Sequence, residues 1–149
     1  MLSFTDAGGQ VGRENTTGLQ DRKSFVMTTR FEDVIAWQKA RVFINHVYRA
    51  TKRFPSEEKY GLTSQFQRAA VSIAANIAEG YKRVGKDDKL RFYNYSQASL
   101  EECRCYIYLS NDFGYITSEE ACLMIEEIEE TSKVLNSYII AIKNRQGWE

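Results

Sequence analysis

The sequence is poor in the residues that interrupt, cross-link or catalyse. Its 149 residues include one proline, Pro55, and beyond Phe31 glycine occurs only at Gly61, Gly80, Gly85, Gly114 and Gly147. A chain with so few breakers suits long helices better than a sheet with many tight turns. Cys103, Cys105 and Cys122 are odd in number and in no zinc-ligand spacing. That excludes a disulfide framework and places the protein in a reducing, cytoplasmic compartment. The single histidine, His46, rules out the paired Glu-x-x-His of a di-metal bundle. No phosphate-cradling glycine loop and no nucleophile elbow occurs, so we expect neither an enzyme nor a cofactor. No apolar run reaches the length needed to span a bilayer, and the N-terminus lacks the basic and apolar regions of a secretory signal. Lys+Arg and Asp+Glu both number 20, giving no net charge. The strongly basic signature of a dedicated nucleic-acid domain is therefore missing, and electrostatic binding has to come from local patches.

The chain is of single-domain size. Residues 1–30 carry Gly8, Gly9, Gly12 and Gly18 among polar residues without periodicity, and read as a disordered tail. Met27 sits just before the first periodic segment, so residues 1–26 also read as an extension from an upstream start. Residues 31–145 hold four amphipathic helical patterns, and residues 146–149 form a short C-terminal tail. The first pattern places Val34, Trp37, Ala40, Ile44, Val47, Thr51 and Phe54 on one side and ends at Pro55. Ser56, with Glu57 and Glu58, predicts the start of helix 2, which runs to about Arg83, with an irregular first turn at Gly61. Helix 3 begins near Asp87 and Asp88 with the stripe Phe92, Ser96, Ser99, Cys103, Ile107 and Ser110, and Gly114 closes it. Ser118 caps helix 4, whose stripe is Ala121, Met124, Ile128, Thr131, Leu135, Tyr138 and Ile142. Four helices of roughly 25 residues with short loops predict an all-α, antiparallel up-down-up-down four-helix bundle.

Apolar residues exceed what one bundle needs. Ile35, Val42 and Phe43 project from the first stripe, Val71 lies in the nearly all-apolar middle of helix 2, and Tyr95 and Leu109 flank the core side of helix 3. Scattered surface hydrophobes are ordinary, but the surplus recurs on three helices and favours a homo-oligomer interface. Helix 2 also carries a polar stripe, Gln65, Arg68, Ser72, Asn76 and Glu79, with Glu102 of helix 3 a partner for Arg68. Two readings stay open: a buried network that sets helix register, which we favour, and a recognition groove for a peptide or nucleotide.

The segments Phe31-Glu-Asp-Val-Ile-Ala-Trp-Gln-Lys-Ala40, Glu58-Lys-Tyr-Gly-Leu-Thr-Ser-Gln65, Arg68-Ala-Ala-Val-Ser-Ile-Ala-Ala-Asn-Ile-Ala-Glu-Gly80 and Ser99-Leu-Glu-Glu102, with Phe54-Pro55 and Arg91-Phe92, closely resemble the 23S rRNA intervening-sequence proteins. This family, also called the four-helix bundle proteins, looks related to the accessory variability determinants of diversity-generating retroelements. The resemblance covers Phe31 to about Arg145. It implies a four-helix bundle, a homopentameric barrel and an association with nucleic acid. Ala74 stands where the family commonly has proline, which is expected to leave helix 2 unkinked. Ala98 stands where it commonly has glycine, which is expected to loosen the closest contact of helix 3.

Charge is uneven. Arg41, Arg49, Lys52 and Arg53 on helix 1 and Lys82, Arg83 and Lys86 at the helix 2–3 turn are basic, whereas helix 4 is rich in glutamate. An ordinary solvated surface and a phosphate-binding patch multiplied by a ring of subunits read equally well from this pattern. The expected role is a homo-oligomeric adaptor whose partners are its own copies and RNA, DNA or a nucleic-acid enzyme. The alternative is a scaffold that binds only proteins.

Overall fold

The computed structural model describes residues 30–145. Among the described residues there are four α-helices and no strand: α1 (Ile35–Thr51), α2 (Leu62–Lys82), α3 (Lys86–Asp112) and α4 (Ser118–Lys143). The expected tails, residues 1–29 and 146–149, and the reading of Met27 as a start lie outside these residues. Arg30, assigned above to the tail, pairs with Glu32 at 2.7 Å and leads into a 3₁₀ turn at Phe31–Asp33.

Helices α1 and α2 are shorter than expected, at 17 and 21 residues, while α3 and α4 have 27 and 26. The difference lies in the α1–α2 connection. Ser56 does not cap α2 but opens a separate 3₁₀ turn, Ser56–Glu58. The helix itself starts after Gly61, where the Glu58 carboxylate accepts from Leu62 N at 2.8 Å. Glu58 thus satisfies one of the backbone donors that a helix start leaves open. Helix α4 is capped one residue earlier than expected, by Thr117, whose hydroxyl accepts from Glu120 N at 3.1 Å. Gly114 ends α3 as expected, at φ +76°, in the left-handed region that favours glycine.

Among the described residues each helix packs on two neighbours, α1 on α2 and α4, and α3 on α2 and α4. A closed ring of four helices around one core follows. The pairings step in opposite order along neighbouring helices. On α2 and α3, Arg68 meets Glu102, Ser72 meets Ser99, and Gly80 meets Lys89.

Two core assignments are corrected. Phe43, expected on an outer face, is fully buried, and Trp37 and Ile44 are only half-buried. Val34, Ala40, Val47, Thr51 and Phe54 of the expected stripe are buried, and Ala36, Phe43 and Ala50 join them. In α3, Tyr93 rather than Phe92 enters the core. Tyr93 lies against Gly80, where an added Cβ would fall 2.7 Å from its Cε1. This is the closest backbone approach in the α2–α3 seam that a glycine makes possible. Ala98 is exposed instead, so its methyl group loosens no contact within the chain. Ala74 is half-buried in an unbroken α2.

Candidate functional site

The polar stripe of α2 faces α3. Ser72 and Ser99 share a 2.7 Å hydrogen bond, and Asn76 Nδ2 donates to the Ser72 carbonyl and hydroxyl at 2.8 and 3.1 Å. Deeper in, fully buried Ser96 donates to the Ile73 carbonyl at 2.7 Å. Towards the surface, Arg68 bonds Glu102 and also Gln65, and Tyr106 donates to the same Glu102 oxygen at 2.6 Å. The stripe is therefore graded, enclosed at the serines and open at its charges. The side chains of Arg68 and Glu102 are 58% and 35% exposed, so the expectation that Arg68 belongs to a buried network is corrected. Glu79 lies apart, exposed in a shallow cleft with Arg30, Phe31 and Tyr81.

The α1–α4 seam is ionic. Lys39 and His46 on α1 and Arg53 just beyond its end, spaced by heptads, meet Glu130, Glu127 and Glu120 of α4. Lys39 reaches Glu130 at 2.6 Å and Arg53 reaches Glu120 at 2.6 Å. The Arg53 guanidinium holds the Glu120 carboxyl below its usual range, against the opposing effect of burial. His46 sits between, its side chain 15% exposed, with Nδ1 2.7 Å from Glu127 and Nε2 3.3 Å from Glu120. Much of the charge contrast between helices 1 and 4 is thus consumed inside the chain.

The expected basic residues fall at opposite ends of the molecule. Arg53 pairs with Glu120 at the start of α4, whereas Lys86 donates to the Lys143 carbonyl at its end. At roughly 1.5 Å per residue these points are about 35 Å apart. Of Arg49, Lys52 and Arg53, Arg53 is held by the Glu120 carboxylate. Arg41 is separate again, exposed near mid-helix with its guanidinium 5.6 Å from the Trp37 ring centroid.

The α2–α3 turn keeps its positive charge. Lys82, Arg83, Lys86 and Arg91 outnumber Asp87 and Asp88 in this segment, and Lys86 donates to the Lys143 carbonyl at the α4 end. Asp88 binds Arg91 and lies 3.7 Å from Arg83. Both guanidiniums flank one ring, Phe92, at 4.4 Å for Arg83 and 5.5 Å for Arg91. Lys89, in contrast, is turned inward, donating to the Gly80 carbonyl at 3.0 Å and the Tyr81 carbonyl at 2.5 Å, and burial lowers its pKa.

Of the expected interface residues, Ile35, Val42, Val71 and Tyr95 are exposed, at 58%, 60%, 43% and 49%. Leu109 is half-buried, and Phe43 is excluded by its burial. Among the described residues no group of His, Cys, Asp and Glu is arranged to hold a metal ion, and no helix is long and apolar enough to cross a membrane. Cys103 is enclosed, and burial pushes its thiol up to about 12.

The family model of the 23S rRNA-intervening sequence proteins matches residues 32–137, which span all of α1, α2 and α3 and most of α4. The chain belongs to the 23S rRNA-intervening sequence protein family. Among solved structures it is similar to a crystal structure of a protein with unknown function from the S23 ribosomal protein family of Bacteroides thetaiotaomicron. The two share 23% identity at a TM-score of 0.65, over 70% of this chain and 97% of that one, a likeness of fold. No curated protein matches. The segment Arg68 to Gly80 is the α2 side of the α2–α3 seam, where Ser72 bonds Ser99, Asn76 bonds back to Ser72, and an added Cβ at Gly80 would meet the Tyr93 ring.

Proposed function

We propose that this member of the intervening-sequence family is a non-enzymatic, homo-oligomeric adaptor that binds nucleic acid through the α2–α3 turn. The observation that carries the reading is the excess of positive charge at the turn, Lys82, Arg83, Lys86 and Arg91 against Asp87 and Asp88, next to Lys143. The helix 1 group of Arg41, Arg49, Lys52 and Arg53 becomes secondary because Arg53 is engaged by Glu120 and Arg41 stands apart at mid-helix beside Trp37.

Oligomerisation is supported by Ile35 and Val42 on α1 and by Val71 and Tyr95 on α2 and α3, which a lone bundle leaves in water. The proposal takes the helices as an antiparallel up-down-up-down bundle, in keeping with the opposed order of their pairings. It takes the assembly as a closed ring, pentameric by the family resemblance. A ring repeats the basic turn once per subunit, so that several phosphates are neutralised together. Three free cysteines suit a cytoplasmic location.

Fluorescence anisotropy with a short RNA, titrated against salt, tests the reading. Binding is expected to fall linearly in log–log form with increasing salt. Replacing Lys82, Arg83 and Lys86 with Gln should weaken it more than replacing Arg49, Lys52 and Arg53. Absence of binding at low salt would favour the protein-only scaffold.

A further inference from the structure

The cations of the α2–α3 turn are not arranged as a simple patch of point charges. Arg83 lies over Phe92, its guanidinium carbon 4.4 Å from the ring centroid. Arg91 approaches the same ring at 5.5 Å. Tyr95 meets Phe92 edge-on at 5.7 Å and props it from the side. Asp88 accepts from Arg91 and sits 3.7 Å from Arg83, restraining both guanidiniums. The Arg83 side chain is nevertheless 45% exposed, and the adjoining Val84 is 86% exposed. One planar cation is thus held over an aromatic ring and also open to solvent.

Lysine would serve a phosphate as well as arginine does when only charge matters, but a guanidinium plane also stacks on a flat π-surface. Bases offer such surfaces only when unpaired, because in a duplex their faces are already stacked on one another. We infer that the α2–α3 turn takes an unpaired nucleic-acid strand, with one base stacked on the Phe92-backed guanidinium of Arg83 and Lys82 and Lys86 on the flanking phosphates. This deepens the nucleic-acid reading above and rests on it.

The test compares a short fluorescent single-stranded RNA, its DNA equivalent and the RNA annealed to its complement, all at one salt concentration, with the full-length protein. Wild-type protein should prefer the single strands. Arg83→Lys keeps the charge and removes the plane; it should weaken single-strand binding about fivefold or more while leaving the duplex within about twofold. Phe92→Leu, which keeps an apolar side chain at that half-buried position, should act in the same direction. Arg83→Gln should weaken both kinds of probe. Unchanged helical circular dichroism and melting in each variant separates binding from folding. Equal affinity for single strand and duplex, or wild-type single-strand binding by Arg83→Lys, overturns the stacking inference and leaves the phosphate-binding reading standing. No binding of any probe overturns both.

Discussion

His46 and Glu127 bridge α1 and α4 through a 2.7 Å contact between Nδ1 and Oε1, while the other ring nitrogen of His46 faces Glu120 at 3.3 Å. A protonated imidazole donates to both carboxylates, whereas a neutral one turns a lone pair toward one of them. The second oxygen of Glu127 is buried without a hydrogen bond. The seam therefore depends on this ring to separate two carboxylates. His46→Ala is expected to cost about 1–3 kcal/mol, as a partly enclosed carboxylate loses its partner. Urea denaturation at neutral pH measures this.

Acid should weaken the same seam at Glu120. Its carboxyl is held below the ordinary range by Arg53, so its contribution is present above the unfolded-state value and is lost as pH falls through the folded-state value. Arg53 is mostly exposed, so screening limits the effect to about 1 kcal/mol or less. In Arg53→Gln the loss of stability between neutral pH and about pH 2 should be smaller than in wild type by that amount, as read from denaturation midpoints.

Gly80→Ala should be among the more damaging single changes. Its Cβ would lie 2.7, 3.0 and 3.1 Å from three atoms of the Tyr93 ring. Tyr93 is fully buried and itself packed on Tyr138 at 5.4 Å, so it has little room to retreat. A loss of about 1–3 kcal/mol is expected from overpacking. Thermal melting checks it, and the second change Tyr93→Leu should recover part of the loss.

Arg68→Ala should be mild, below about 1 kcal/mol, because the Arg68–Glu102 pair is open to solvent. Ser96→Val should cost more, about 1–3 kcal/mol, by crowding a buried position and removing the donor to the Ile73 carbonyl. The two variants side by side in urea separate the open from the enclosed part of the stripe.

In light scattering, the wild-type protein should give several times the 17.2 kDa chain mass. Val42→Glu, exposed at 60% in the single chain, should lower that mass without lowering helical content. A monomeric wild type at micromolar concentration would remove the ring.

Helix number, the Gly114 stop and the Arg68–Glu102 and Ser72-to-Asn76 stripe were legible in the sequence, since each depends on periodicity or on one residue's backbone preference. In the α1 stripe Trp37 and Ile44 were read as core where Ala36 and Phe43 are enclosed instead, because the four compete for neighbouring arcs of one helix face. Apolar identity alone does not say which side faces two neighbouring helices at once. Ser56 looked like a helix cap because its acidic followers suit any helical turn, and a 3₁₀ turn used them first. The pairing of the basic residues was hidden for another reason. Composition counts charges but not partners, although the heptad spacing of Lys39, His46 and Arg53 was a signal that they line one face.

The two seams give the molecule unequal responses to its solvent. Hydroxyls and small side chains, with one solvent-open ion pair at Arg68–Glu102, join α2 to α3, and ionic strength touches that seam little; ion pairs line the α1–α4 seam, and counterions weaken them. A salt titration of ligand binding therefore acts on the protein as well as on the phosphates. Subtracting the slope measured with Lys39→Met, in which one rung is already absent, separates a loosening of the scaffold from a release of ions by the ligand.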